Sequence, residues 1–143
     1  MANNKLHKVR DYAALKEEKA AAELQKSREE SQKKQEQLNL LNQYREEYEQ
    51  QFQQRCSGGI DARSLEDYRL FLKKLNAAIA EQTTQVSESE NGVQQAQSNW
   101  LDTYRRKSVL GNLIERKEQA LDVEKQRLEQ KISDENAARQ KMD

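Results

Sequence analysis

Proline is missing from the 143 residues, glycine occurs only four times, and aromatic residues make up 6%. So few helix breakers and so few β-favouring rings exclude a β-sandwich, an α/β sheet enzyme and a collagen-like chain. Cys56 is the only cysteine, so an internal disulfide or a zinc cluster cannot form. Charge of one sign is lacking as well: 25 basic side chains face 25 acidic ones, interleaved along the chain. Helical proteins that bind nucleic acid need a basic excess, so no nucleic-acid partner is expected. Nowhere does an apolar run approach the roughly 18 residues of a membrane span, and the N-terminus carries no apolar leader-like stretch. A cytoplasmic protein with no direct membrane insertion is the expectation.

What the chain does contain is helix-forming residue types. Ala, Glu, Lys, Leu and Arg account for 72 of the 143 positions and Gln for another 18. The one concentration of breakers is Cys56-Ser57-Gly58-Gly59-Ile60-Asp61. Consecutive glycines permit the positive φ angles that end a helix. Ser64 followed by Asp67 resembles a variant capping box, which starts a second helix between Asp61 and Ser64. The expected fold is therefore all-α: a single antiparallel two-helix coiled-coil hairpin over residues 1–143. Its helices span about 4–54 and about 62–141, joined by a turn at about 55–61.

The second helix carries the clearer repeat. Every seventh residue from Leu65 reads Leu65, Leu72, Ile79, Val86, Val93, Trp100, Lys107, Ile114, Leu121, Leu128, with Lys107 alone not apolar. The companion row (Tyr68, Leu75, Gln82, Ser89, Ala96, Thr103, Leu110) is mixed. Gly92 and Gly111 raise the alternative of a third turn and a three-helix bundle. The repeat runs through both without a change of phase, which favours one continuous helix. The first helix has a weaker stripe: Leu6, Val9, Ala13, Ala20, Leu24, then Leu38, Leu41, Tyr44, Tyr48 and Phe52. Between them, Gln25 to Gln37 holds no hydrophobic side chain. Ion pairs Glu29–Lys33 and Glu30–Lys34 are expected there, in a weakly packed stretch.

Unequal lengths leave material over. At 1.5 Å per residue the helices measure roughly 75 and 120 Å. A hairpin closed at Gly58-Gly59 places Leu41 near Ala77 and Leu6 near Asn112. Beyond about residue 113 the second helix has no internal partner, yet Ile114, Leu121, Val123, Leu128 and Ile132 continue its apolar stripe. Docking onto another protein is expected of this overhang; fraying or self-association is the alternative. Near the turn, Leu41, Tyr44, Tyr48 and Phe52 on one helix meet Tyr68, Phe71, Leu75 and Ala78 on the other, with Gln37 and Gln82 extending the rows. These aromatics serve either as interface anchors or as ordinary core.

Catalytic chemistry is not expected, and neither is a cofactor. One histidine, His7, sits beside Lys8 as a solvated side chain, and neither phosphate-loop nor nucleophile-elbow motifs occur. Acidic neighbours such as Glu17-Glu18, Glu29-Glu30 and Glu46-Glu47 diverge on a helix and read as solvated faces.

Taken in order, Leu41-x-x-Tyr44-x-x-x-Tyr48, the Gly58-Gly59-Ile60 turn and Leu65-x-x-Tyr68-x-x-Phe71-Leu72-x-x-Leu75-x-x-Ala78-Ile79 resemble the bacterial flagellar export protein FliJ family. Ala96-x-x-x-Trp100, Leu113-Ile114-Glu115-Arg116 and Glu129-Gln130-Lys131-x-x-Asp134-Glu135 extend the resemblance over nearly the whole chain. The resemblance implies a stalk-like, non-enzymatic coiled coil of the type III export apparatus. Its implied partners are the hexameric export ATPase, the export gate protein FlhA and export chaperones. It further implies a location at the cytoplasmic face of the inner membrane, reached through that apparatus. Gln37, Leu41, Tyr44, Tyr48, Phe71, Leu75, Ala78 and Gln82 are then expected to meet the gate, and Ile114, Leu121, Leu128 and Ile132 the ATPase ring. Alternatives are the stalk of a virulence injectisome and a generic oligomerising scaffold; an obligate homo-oligomer is not expected.

Overall fold

In the computed structural model, which describes residues 2–142, two helices account for nearly everything: α1 (Ala2–Cys56) and α2 (Ala62–Met142). Among the described residues there is no strand. Both helices extend slightly past their expected ends, and Cys56 closes α1 instead of lying in the turn.

Local chemistry sets the turn. The Gly58 N–H donates to the Arg55 carbonyl at 3.4 Å and the Gly59 N–H to the Cys56 carbonyl at 3.1 Å, tightening the last turn of α1. Among the described residues only Gly59, at φ +86°, adopts the left-handed conformation. Gly59→Val is therefore expected to cost about 1–2 kcal/mol in urea unfolding, whereas Gly58→Ala, whose new Cβ meets only the Arg55 carbonyl oxygen at an ordinary 4.0 Å, stays close to wild type.

The start of α2 differs from the expected Ser64–Asp67 box by one turn. Asp61 is the cap: its Oδ1 accepts the Ser64 N–H at 3.2 Å, and its carbonyl accepts the first helical bond from Leu65 at 3.2 Å. The Ser64 hydroxyl, and after it the Ser64 N–H, hold the Asp61 carboxyl below its ordinary value. A depressed carboxylate stabilises the fold above its unfolded pKa, and this contribution is lost as pH falls through the folded one. Acid titration followed by circular dichroism should show this loss in the wild type and a flatter response in Asp61→Asn.

The helices pack in two units, Ala20–Trp100 and Met1–Lys19 with Leu101–Asp143. In the first, Ala20, Leu24, Leu75 and Val86 are buried. Both seven-residue rows of α2 point inward here, from Leu65 and Tyr68 through Ala96 and Trp100, with no member exposed. Opposite them α1 supplies two rows that are largely polar in the middle: Ser27, Ser31 and Lys34 are all half-buried. Ser89 Oγ donates to Ser31 Oγ at 3.2 Å, and Gln82 Nε2 donates to the Lys34 carbonyl at 3.0 Å. The stretch 25–37 is fully helical and holds no buried residue, as its lack of apolar side chains implies. Its expected Glu29–Lys33 and Glu30–Lys34 ion pairs do not form. Glu29 instead accepts from Gln25 at 3.2 Å, and Gln32 donates to Glu36 at 3.4 Å.

Among the described residues of the second unit, Ala13 and Ile114 are buried. Lys107, the polar member of the otherwise apolar row, pairs with Glu17 at 3.6 Å across the seam. A charged residue at a core position matched by one opposite charge fixes register. His7 lies half-buried with Nε2 3.5 Å from Glu118 Oε1, so it is not the solvated side chain expected. This pairing also corrects the expected alignment of Leu6 with Asn112: the first turns of α1 lie opposite residues about 118, more than a helical turn further along α2.

Gly92 and Gly111 sit inside α2 without interrupting it, and a Cβ at either would meet nothing within 4 Å. Gly92→Ala is accordingly expected to stabilise the chain by about 1 kcal/mol, read as a higher urea midpoint.

Candidate partner-binding surfaces

Seven-residue spacing brings the aromatic rows near the turn face to face. Phe52 stacks on Tyr68 with ring centroids 3.6 Å apart and planes 5° from parallel. Tyr48 stacks on Tyr68 at 5.4 Å and meets Phe71 at 4.4 Å; Tyr44 meets the edge of Phe71 at 6.1 Å. Burial pushes the Tyr68 phenol above its ordinary value, and the Glu49 carboxylate adds to this. The cluster is thus largely internal, and Tyr44, about half exposed, is its outward end.

Tyr44 borders an open groove of about 650 Å³ lined also by Gln37, Leu40, Leu41 and Gln82. Gln82 Nε2 donates to Gln37 Oε1 at 3.3 Å across it, so the two glutamines at the ends of the rows do meet. Four of the eight residues expected at the gate surface (Gln37, Leu41, Tyr44, Gln82) therefore share one groove, and Tyr48 and Phe71 back it. Ala78 is exposed on α2. Leu75 is the correction: it is buried in the core and can only support the surface from beneath.

The expected ring-binding row divides in the same manner. Ile114 is 4% exposed and belongs to the core, whereas Leu121 and Leu128 are 57% exposed and Ile132 is 58% exposed. The reason is the shifted register, since α1 reaches far enough along α2 to cover Ile114. From residue 115 to 142 every residue of α2 is exposed.

A further groove, of about 470 Å³, is formed in the same unit by Val9, Tyr12, Ala13 and Lys16 of α1 with Thr103, Arg105, Arg106, Val109 and Leu110 of α2. The sequence places Val9 and Ala13 in the α1 stripe and Thr103 and Leu110 in the companion row of α2, and singles out neither Tyr12, Lys16, Arg105, Arg106 nor Val109. The available signal was phase: Tyr12 and Val109 are large apolar residues outside the inward rows. No group of three or more histidine, cysteine, aspartate or glutamate side chains among the described residues could hold a metal ion. No helix among them is long and apolar enough to cross a membrane.

Two long helices packed along a narrow mixed seam, with open apolar surfaces beside it, define an all-α coiled-coil hairpin. The family model described as "Flagellar FliJ protein" matches residues 1–143. The flagellar FliJ protein of Escherichia coli (strain K12) is 31% identical over 134 residues, covering 94% of this chain and 91% of that protein. The chain belongs to the FliJ family, and with it to flagellum biogenesis and type III protein export. No solved structure matches it.

Proposed function

We propose that the chain is a stalk-like, non-enzymatic component of the flagellar export apparatus that binds and promotes the hexameric export ATPase ring. In this reading the free part of α2 enters the ring, with Leu121, Leu128 and Ile132 as its apolar contacts. The groove face near the turn, with Tyr44 at its centre, meets the export gate protein FlhA. Export chaperones bind as further partners. The protein is cytoplasmic and reaches the inner membrane only through the apparatus.

One observation carries the reading: 28 consecutive residues of α2, 115–142, are exposed and still display an apolar row. Such a row is stabilised by burial against a partner. Adding the protein to the matching export ATPase should raise hydrolysis and the yield of hexamers. Unchanged hydrolysis and assembly would refute the reading. Light scattering coupled to size exclusion should give a monomer; a stable dimer held through 115–142 would favour the oligomerising scaffold instead.

A further inference from the structure

We propose that the groove between α1 and α2 in the Met1–Lys19 and Leu101–Asp143 unit is a docking site for an acidic amphipathic helix of a partner protein. It is distinct from both surfaces assigned above, and it stands whether or not the ATPase reading does.

The floor is apolar and open. Val9 and Tyr12 lie one turn apart on α1, and Val109 faces the same groove from α2; all three are at least half exposed. Lys16 Nζ sits 4.9 Å over the Tyr12 ring, a cation–π contact that holds the ring as one wall. An apolar groove between two packed helices accepts a third helix laying its apolar stripe along it.

The rim sets the charge of that helix. Lys16, Arg105 and Arg106 border the groove and no acidic residue does. None of these three cations has an ion-pair partner among the described residues. The nearby acids are engaged elsewhere or lie outside: Asp11 is 3.5 Å from Arg10, Glu17 is 3.6 Å from Lys107, and Asp102 is exposed on α2 without lining the groove. In a chain of zero net charge, three cations around an apolar floor are a local departure that matches a helix with glutamates flanking a leucine stripe. Arginine guanidinium groups can take such carboxylates in paired hydrogen bonds. A bilayer surface suits the groove less well, because its apolar residues line a concavity and cannot all enter a flat surface.

The test uses the full chain and a fluorescein-labelled designed helix with leucines at i, i+3, i+4 and i+7 and glutamates beside them. A second peptide has lysines in place of the glutamates. Fluorescence anisotropy should show the acidic peptide binding at least about tenfold more tightly than the basic one, with affinity falling as salt rises. Arg105→Glu with Arg106→Glu, and separately Val109→Asp, should each weaken it at least about tenfold while circular dichroism stays unchanged, since all three positions are exposed. Methyl resonances of Val9 and Val109 should shift on titration. Equal affinity for the two peptides, or variants that bind as wild type, would overturn the proposal. So would vesicles of phosphatidylglycerol that sediment the wild type but not the variants in the presence of excess acidic peptide. A dimer dissociated by Val109→Asp would overturn it too, since the occupant would then be a second copy.

Discussion

Changing Leu121 and Leu128 together to aspartate is expected to abolish stimulation of the export ATPase while leaving the thermal unfolding of the free protein unchanged. Both leucines are 57% exposed, and exposed substitutions of this kind move stability by only about 0.5 kcal/mol. Each leucine buried fully against a partner contributes about 2 kcal/mol, so the pair accounts for roughly a hundredfold or more in affinity. Aspartate adds the cost of desolvating two carboxylates. Ile114→Asp, one and two heptads earlier on the same row, is the contrasting variant. It lies in the core at 4% exposure, and an unpaired charge there should destabilise the free chain by about 4 kcal/mol or more. The comparison separates loss of a contact from loss of the fold, measured by hydrolysis assay and calorimetry on the same preparations. Retained stimulation by the double aspartate variant would remove residues 121 and 128 from the ring contact.

Tyr68→Ala is expected to be the costliest change near the turn, at about 2–4 kcal/mol in urea unfolding. Its ring is stacked at 3.6 Å on Phe52 and at 5.4 Å on Tyr48, so truncation removes two aromatic pairs along with the apolar area. Tyr68→Phe keeps both stacks and should stay within about 1 kcal/mol of wild type. Tyr44→Ala makes the complementary test. Tyr44 is about half exposed and meets the cluster only through the longer ring contacts, to Phe71 at 6.1 Å and to Tyr48 at 6.4 Å, so stability should change by less than about 1 kcal/mol. Binding to the isolated gate protein, followed by titration calorimetry, should fall at least about tenfold if Tyr44 is an interface anchor. Tyr48→Ala with Phe71→Ala cannot make this distinction, because those rings meet each other at 4.4 Å and their loss disturbs the core as well.

The α2 repeat was legible because its apolar members recur every seven residues without a break from Leu65 to Trp100. Gly92 and Gly111 cannot interrupt a helix whose seam stays in phase on both sides. The α1 seam was much less legible. Its inward positions include Arg10, Glu17, Ser27, Ser31, Lys34 and Arg45, all half-buried. Arg45 reaches Asn76 with Nη1 donating to Oδ1 at 3.1 Å, and Glu17 meets Lys107. Apolar periodicity cannot register positions filled by polar side chains whose partners lie on the other helix. The same blindness hid the cationic groove, whose two halves each keep a helical spacing but lie about 90 residues apart in the chain.

Composition and periodicity by themselves determined that the chain is helical, that it breaks once around Gly58-Gly59, and that α2 has a continuous inward face. These are local properties: propensity, the conformational freedom of one glycine at Gly59, and phase along one helix. Which residues are left uncovered was decided only in the tertiary structure. Ile114 and Leu121 are equivalent in the repeat, and one is buried while the other is exposed. The difference is the register of α1 against α2, set by the Lys107–Glu17 pair and by His7 opposite Glu118. Register is a relation between two segments remote in sequence, so no window on either one contains it.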